Sequence, residues 1–400
     1  MKYCPNCGHP VAPTAKFCPA CGHALPVAQQ ATSSTGTAAN ATGEPTGTAS
    51  NQSASVQSQP GAQVPPRQHR ESLYDNATSR LSHYTGEDGA VKVNLAAMFS
   101  QVLRHHSKSE AESIFIAGTE TTTPTLDQIS GDWAKPWLFS RILLGFLIAF
   151  VALLYMLVGL RNPNAIPGLI LVGAFAVPFS GLVFFFEANA FKDVSLFEVV
   201  KIFFIGGILS LIVTLFLYEF VSFSQTSQLT GMLTLGDSLS IGIVEELGKL
   251  LITSYFISRL NVQHILDGLL IGAAVGAGFA AFETAGYIYR AGGQLVDVAI
   301  IRGWSAIGGH LVWAAIAGGA IMVVKRTKPF QVSQLLDTRF LVFFLLAILF
   351  HAAWDWDIGL IGPYFKLLVL IVLAWIVVFV LMNAGLKEIG HLQQAAKRES

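Results

Sequence analysis

Apolar positions dominate the chain from Trp137 onward, where they form long runs separated by short polar stretches. A membrane-spanning helix needs about 20 predominantly apolar residues. Eight runs come close to or exceed this length, at 137–160, 166–186, 194–217, 235–257, 268–289, 304–324, 340–358 and 364–384. The pattern predicts an all-α polytopic membrane protein, built as a bundle of about eight transmembrane helices.

The first third of the chain is polar and follows a different plan. Residues 26–66 are mostly Ala, Thr, Ser, Gln, Gly and Pro, a composition that buries too little apolar surface to fold. The stretch 93–106 has the apolar spacing of a short amphipathic helix. The predicted units are a small module at 1–25, a disordered linker at 26–92, a juxtamembrane segment at 93–136, a transmembrane domain at 137–384 and a cytoplasmic tail at 385–400.

The composition agrees with a membrane protein. Of 400 residues, 52% are hydrophobic and only 12% are charged, whereas a soluble domain has about 25% charged residues. The formal net charge is zero, so bulk electrostatics gives no indication of nucleic-acid binding. The residues after Met1 contain no apolar run of the signal-peptide type, and we expect no cleavable signal peptide.

Positively charged loop residues indicate the orientation of the helices, because Lys and Arg favour cytoplasmic loops. With the N-terminus in the cytoplasm, the predicted inner loops and the tail hold ten Lys and Arg residues, and the outer loops hold three. We therefore expect a multi-pass protein of the plasma membrane that contacts the lipid bilayer and has both termini in the cytoplasm.

All four cysteines lie in two Cys-x-x-Cys pairs, within CPNCG and CPACG near the N-terminus. Two such pairs can bind one structural zinc ion, with Cys4, Cys7, Cys18 and Cys21 as ligands, and the metal then supplies the folding free energy that so small a unit lacks. Two disulfides or free thiols are the alternative, which a reducing cytoplasm disfavours. The pattern resembles short zinc-ribbon modules, and we expect it to contact a protein partner rather than nucleic acid.

Polar and ionisable residues lie inside four of the predicted spans, where an ionised side chain costs about 2.5–3.5 kcal/mol or more. They are Glu245, Glu246 and Lys249 in the fourth span, Glu283 in the fifth, His310 in the sixth, and His351 and Asp355 in the seventh. Such residues usually face the interior of the bundle and pair with one another. Glu283 shares a helix face with Gly268, Gly272 and Gly276, which permit close helix packing.

The four polar groups are predicted to lie at one depth in the membrane. Counted along ideal helices, Glu245, Glu283, His310 and His351 are six to eight residues from charged residues at the outer ends of their spans. At 1.5 Å per residue, these side chains are about 9–12 Å below the outer face. We therefore expect one hydrated site between the helices, although hydrogen bonding between helices without catalysis uses the same residue types.

Carboxylates, two imidazoles and an amine in one wet pocket suit hydrolysis. A glutamate could act as general base on water, or His310, His351 and Glu283 could hold a catalytic zinc ion while another glutamate acts as base. The sequence contains no Gly-x-Ser-x-Gly, catalytic cysteine or Walker loop. Two other functions use buried polar residues without hydrolysis: a proton-coupled transporter with a relay across the bilayer, and a non-catalytic membrane scaffold.

Four motifs resemble those of the PrsW family of intramembrane proteases, which is related to the CAAX prenyl endopeptidases and the bacteriocin-processing enzymes. They are EELGK at 245–249, DGLLIGAAVGAGFAAFE at 267–283, HLVWAAIAG at 310–318 and HAAWD at 351–355. The resemblance covers 137–384 and implies an endopeptidase that cleaves membrane-protein or peptide substrates. Because members of the family cleave anti-sigma factors, it also implies a role in signalling by regulated proteolysis.

The resemblance implies a role for each polar residue by its position in the motifs. Glu245 would activate water, supported by Glu246 and Lys249; Glu283 and His310 would bind the water or a metal; and His351 with Asp355 would stabilise the oxyanion. At the position of Asp355 the related endopeptidases have asparagine. Because an ionised aspartate cannot donate a hydrogen bond, Asp355 is better suited to orient His351 or to ligate a metal.

Overall fold

The computed structural model describes residues 2–3, 10–11, 72–119, 121–357 and 362–399 and divides the chain into two compact units, 1–67 and 68–400. In the first unit, strand β1 (Lys2–Tyr3) pairs antiparallel with strand β2 (Pro10–Val11). The expected zinc ligands Cys4, Cys7, Cys18 and Cys21 lie outside the described residues.

Three short helices precede the membrane helices of the second unit: α1 (Leu73–Thr85), α2 (Leu95–Met98) and α3 (Lys108–Phe115). Helix α1 lies where the sequence predicted a disordered linker. Its N-terminus is capped by Ser72, which accepts a hydrogen bond from the amide of Asp75, and it packs against the last helix of the chain. These contacts supply an order that the local composition does not indicate.

The amphipathic helix predicted for 93–106 does not form over its full length. Only the four residues of α2 are α-helical, and the chain continues in turns after them. Met98 is buried, and the ring of Phe99 packs against Phe139 at a centroid distance of 6.0 Å. Leu103, in contrast, is 93% exposed. Contacts with the helical bundle, rather than the helical spacing of apolar residues, therefore determine the path of this segment.

The described elements that follow α3 are helices. In chain order they are α4 (Leu138–Leu154) with a π-helical end (Tyr155–Gly159), α5 (Ile166–Ala188), α6 (Leu196–Lys201) joined by a π-helical turn (Ile202–Gly206) to α7 (Gly207–Tyr218), α8 (Gln225–Thr230), α9 (Leu235–Leu260), α10 (Ile265–Arg290), α11 (Leu295–Ser305), α12 (His310–Lys325), α13 (Thr338–Asp355) and α14 (Pro363–Glu399). Helix α14 continues through most of the expected tail at 385–400.

Seven helical stretches among the described residues are long and apolar enough to cross a membrane. They comprise α4, α5, α6 with α7, α10, α11 with α12, α13, and α14. Helix α9 is not among these seven, because its central part contains three charged residues, Glu245, Glu246 and Lys249. It has 26 residues, as α10 has, and it packs against both α7 and α13. We count it as the eighth span of an all-α polytopic membrane protein.

The sixth apolar run is not the single helix that the sequence predicted. Helix α11 ends at Ser305, a 3₁₀ turn covers Ala306–Gly308, and α12 begins at His310. A side chain at Gly308 would overlap Ile371 of α14, so this turn packs closely against that helix. The depth predicted for His310, which assumed an unbroken helix, therefore rests on a wrong premise.

Helix α10 is at the centre of the bundle, and 94% of its most apolar stretch is buried. It packs most extensively on α12. A Cβ atom at Gly272 would overlap the carbonyl oxygen of Ala314, and one at Gly276 would overlap the carbonyl oxygen of His310. The small-residue face predicted from the sequence is thus the surface on which the two backbones meet, and it positions His310.

Candidate active site

Helices α9, α10, α12 and α13 bring together all of the polar residues that the sequence singled out within its spans. Each of these side chains lies within 3.6 Å of another member of the set: Glu245, Glu246, Lys249, Glu283, His310, His351 and Asp355. The residues come from four separate spans, so the contacts depend on the tertiary fold. The seven side chains therefore form one polar cluster between the helices.

Lys249 is the buried cation of the site. It is 1% exposed, and its Nζ donates a hydrogen bond to Oε1 of Glu246 at 2.8 Å and lies 3.6 Å from Oε2 of Glu245. These residues are neighbours because positions three and four apart share a helix face. The ammonium also lies 4.3 Å from the centre of the Phe279 ring. A buried charge needs such partners, because it has lost its hydration.

His310, the first residue of α12, connects Lys249 to Glu283. Its Nδ1 lies 2.8 Å from Nζ of Lys249, and its Nε2 lies 2.9 Å from Oε2 of Glu283. Because a charged ammonium can only donate and a carboxylate can only accept, Nδ1 is the acceptor and Nε2 carries the donated proton. Both nitrogens of this imidazole are therefore occupied.

His351 on α13 is 2% exposed and faces three carboxylates. Its Nδ1 donates to Oε1 of Glu246 at 2.8 Å. Its Nε2 lies 3.4 Å from Oδ2 of Asp355 and 3.6 Å from Oε2 of Glu245. Glu246 thus binds His351 and Lys249 through the same oxygen and holds α13 against α9.

Two residues of the site were not predicted from the sequence. The hydroxyl of Tyr218 donates to Oε1 of Glu245 at 2.7 Å, and the guanidinium of Arg302 donates to Oε2 of Glu283 at 2.6 Å. Arg302 is one of the three Lys and Arg residues that the sequence places on the outer side; it lies on α11, and its guanidinium contacts Glu283. Tyr218 ends α7, where an aromatic residue is common at a membrane interface, so the sequence carried no distinguishing signal for it.

A cavity of about 300 Å³ extends from this network. Its lining includes Thr284, Arg302, His310, Asp355 and Lys366. The Oε2 atoms of Glu245 and Glu246 are buried and have no hydrogen-bond partner among the described residues. Unpaired buried carboxylate oxygens are costly, so the site is suited to receive a hydrogen-bond donor such as water.

Glu245, His310 and His351 offer three possible metal-donor atoms that lie within 4.8 Å of one another. The sequence expected Glu283 in this set rather than Glu245. In the structure, Glu283 instead pairs with Arg302 and His310. A second group with the same kind of spacing lies near the start of α10 and consists of Asp193, His264 and Asp267.

Comparison with known protein families identifies both parts of the chain. Residues 197–382 match the model of the PrsW family of intramembrane metalloproteases, and residues 3–25 match that of the zinc-ribbon domain. Among the curated proteins and the solved structures, no significant match was found. The first match begins in α6 and ends in α14, so it includes the four helices that carry the site.

Proposed function

Because the chain belongs, over residues 197–382, to the PrsW family of intramembrane metalloproteases, we propose that its Glu245 is the general base that activates water to hydrolyse a peptide bond. The chain is an intramembrane peptidase with an N-terminal zinc-ribbon domain. The observation that carries the proposal is the buried Oε2 of Glu245, which has no hydrogen-bond partner among the described residues and lies 3.6 Å from Nε2 of His351.

The contacts of Glu245 suit a base. Its Oε1 accepts a hydrogen bond from Tyr218, which leaves Oε2 for the proton of a water molecule. The ammonium of Lys249 lies 3.6 Å from Oε2 and gives the carboxylate a counter-charge. In a buried site the attraction between such charges is much stronger than in water.

The proposed hydrolysis has two steps. First, Glu245 takes a proton from water, the water oxygen bonds to the carbonyl carbon of the substrate, and the π-electron pair of the carbonyl moves to its oxygen, which forms a tetrahedral oxyanion. Then the oxyanion collapses, the carbon–nitrogen bond breaks, and Glu245 returns the proton to the departing amine. One water is consumed, and a carboxyl group and an amine are released.

The other polar residues of the site have supporting roles in this proposal. Glu246 orients His351 and binds Lys249. Glu283 orients His310 through the hydrogen bond at Nε2. Oδ2 of Asp355 lies 3.4 Å from Nε2 of His351 and places a negative charge there; an ionised carboxylate cannot donate to an oxyanion.

The arrangement does not fit a catalytic zinc ion held by Glu245, His310 and His351. Nδ1 of His310 already accepts from Lys249, and its Nε2 donates to Glu283, so this imidazole offers no free lone pair. An ion at this position would also lie next to the ammonium, a like charge. For the zinc ribbon we propose one structural zinc ion, bound by Cys4, Cys7, Cys18 and Cys21.

A proton relay across the bilayer, the main alternative function, has less support. A second buried polar residue on α10, Asp267, accepts a hydrogen bond from Asn189 at 3.0 Å. Between Asp267 and Glu283, however, α10 carries no titratable side chain, and these residues are about 24 Å apart along the helix. This distance is too long for direct proton transfer, so a single hydrolytic site accounts for the polar residues better.

The substrates are membrane proteins, as the family and the membrane helices imply. We propose that they include signalling proteins of the anti-sigma-factor type, cut near the outer side of the plasma membrane. The ten-to-three excess of Lys and Arg in the predicted inner loops supports cytoplasmic termini. In that orientation Glu245 lies in the half of the membrane away from the cytoplasm.

The test compares membrane-protein fragments in cells that express the full chain as wild type, Glu245→Gln or Glu219→Gln. Glu219 is exposed at the end of α7 and is a matched control outside the site. We expect the same fragments with wild type and the control, and a loss of about 10²–10⁴-fold with Glu245→Gln at equal expression, the usual contribution of a general base. Undiminished fragments with Glu245→Gln would contradict the proposed function.

A further inference from the structure

Trp313 packs against both imidazoles of the site. It is on the first turn of α12, three residues after His310, and is 1% exposed. Its ring stacks on His351 at a centroid distance of 4.4 Å and meets His310 at 5.1 Å in an edge-on arrangement. Trp313 also lines the cavity of about 300 Å³. It thus forms part of the wall of the cavity.

The indole nitrogen of Trp313 has no hydrogen-bond partner among the described residues, although it is buried. An unpaired buried donor is destabilising, and such donors are rare in native structures. Trp375 shows the usual arrangement, because its Nε1 donates to the carbonyl oxygen of Ile307 at 2.9 Å. The acceptor for this N–H is therefore expected to come from a molecule that enters the site, beside whose cavity Trp313 lies.

The unpaired atoms of the site complement the two reactants of a hydrolysis. Oε2 of Glu245 and Oε2 of Glu246 are acceptors without donors, and Nε1 of Trp313 is a donor without an acceptor. Water can supply protons to the carboxylates, whereas a peptide carbonyl oxygen can only accept. Of the two reactants, the carbonyl is the one that needs the indole donor as its oxygen becomes negative.

We propose that Trp313 is a catalytic residue whose Nε1–H donates a hydrogen bond to the carbonyl oxygen of the scissile peptide bond. This inference rests on the proposed hydrolysis. When the water oxygen bonds to the carbonyl carbon, the π-electron pair moves to the carbonyl oxygen, and the hydrogen bond from Nε1 strengthens as the charge develops there. The donor is already in place, held by the stacking on His351. Asp355, an acceptor, cannot supply this bond.

The kinetic test uses the full chain in vesicles and a randomised mixture of apolar transmembrane peptides that carry a fluorophore and a quencher. Trp313→Phe removes the N–H and keeps an aromatic ring against His351, and Trp133→Phe, in the segment before α4, is the matched control. We expect an initial rate about 10²–10³-fold lower with Trp313→Phe, as for other single oxyanion donors, and an unchanged rate with Trp133→Phe. If wild type and Trp313→Phe have equal rates while Glu245→Gln is inactive, the role of Trp313 is overturned and the proposed function stands. If Glu245→Gln is active, the proposed function itself is overturned.

A second measurement does not depend on turnover. With ¹⁵N-labelled tryptophan, the resonance that disappears in Trp313→Phe is assigned to the Trp313 indole among the seven tryptophans. The peptide aldehyde acetyl-Leu-Leu-leucinal supplies a carbonyl oxygen to the Glu245→Gln protein. We expect this indole proton resonance to move downfield at saturating aldehyde, as a new hydrogen bond requires. A resonance that stays in place would show that another acceptor, such as a resident water, holds the N–H, and would overturn the inference.

Discussion

Nδ1 of His351 donates to the oxygen of Glu246 that also binds Lys249, and the two distances are both 2.8 Å. Glu246 and His351 are 1% and 2% exposed, so water does not compete for this bond. The contact keeps a proton on Nδ1 and directs Nε2 toward Glu245. The residue next to the proposed base in sequence therefore orients the imidazole that faces it.

Glu246→Gln should lower the rate of peptide hydrolysis without abolishing it. The amide keeps the shape of the side chain but loses the charge that binds His351 and Lys249. A hydrogen bond to a charged group is worth about 1.5–3 kcal/mol, which corresponds to a rate loss of roughly ten- to hundredfold. The quenched-peptide assay measures this, with Glu198→Gln near the start of α6 as the control. A wild-type rate in Glu246→Gln would rule out the orienting role.

Tyr218→Phe tests the residue that sequence analysis missed. The variant loses the hydrogen bond to Oε1 of Glu245 and keeps the ring. Both oxygens of Glu245 then lack a fixed partner, and we expect a rate loss of roughly ten- to hundredfold on the same energetic grounds. Tyr255→Phe, on the exposed face of α9, is the matched control. If both variants retain the wild-type rate, Tyr218 has no part in positioning the base.

Arg302 and Glu283 should be energetically coupled. Their side chains are 29% and 14% exposed, and the N–O distance is 2.6 Å. Arg302→Gln leaves the carboxylate of Glu283 with His310 as its remaining close partner, and we expect a lower thermal-unfolding midpoint in detergent. Glu283→Gln in the same chain removes the uncompensated charge, so the double variant should be more stable than the sum of the single effects predicts.

The coupling free energy from this double-mutant cycle is expected to be about 0.5–3 kcal/mol, the usual range for residues in one network. Strictly additive effects on stability would show that the ion pair does not hold α11 against α10.

Gly276→Ala should disturb the site through the backbone. The added Cβ would overlap the carbonyl oxygen of His310, which is backbone and cannot rotate away. Helix α12 must therefore shift, and we expect a lower unfolding midpoint together with a lower rate of hydrolysis. Gly145→Ala on α4 is the control, because its Cβ would have no neighbour within 4 Å. Equal stability and activity in both variants would argue against close packing of α10 on α12.

Removal of zinc should affect the zinc ribbon and leave the activity of the membrane site unchanged. In a Cys4→Ser, Cys7→Ser variant of the full chain, we expect the zinc content measured by elemental mass spectrometry to fall by one equivalent. A chelator should then leave peptide hydrolysis unchanged, because Lys249 occupies the lone pair of His310 that a catalytic ion would need. A loss of activity on chelation that added zinc restores would contradict the metal-free proposal.

The amino-acid sequence alone was enough to predict the membrane-spanning helices and most of the residues of the polar cluster. Apolar runs of this length are typical of membrane-spanning helices. Because an ionisable residue within such a run needs a polar partner, Glu245 and His351 could be recognised as interior residues without coordinates. The helical period placed Glu283 on the glycine face that meets α12. These inferences hold because each depends on the position of a residue within its own helix.

Which atoms contact one another became visible only in the folded structure. Sequence spacing does not show where an apolar run is interrupted, so the break before His310 and the inward position of Arg302 were not foreseen. Nor does it show which residue of a neighbouring helix lies opposite a given side chain, as Tyr218 lies opposite Glu245. The reason is physical: apolar burial specifies which faces of the helices are inside, whereas partner atoms depend on how the helices pack and rotate against one another.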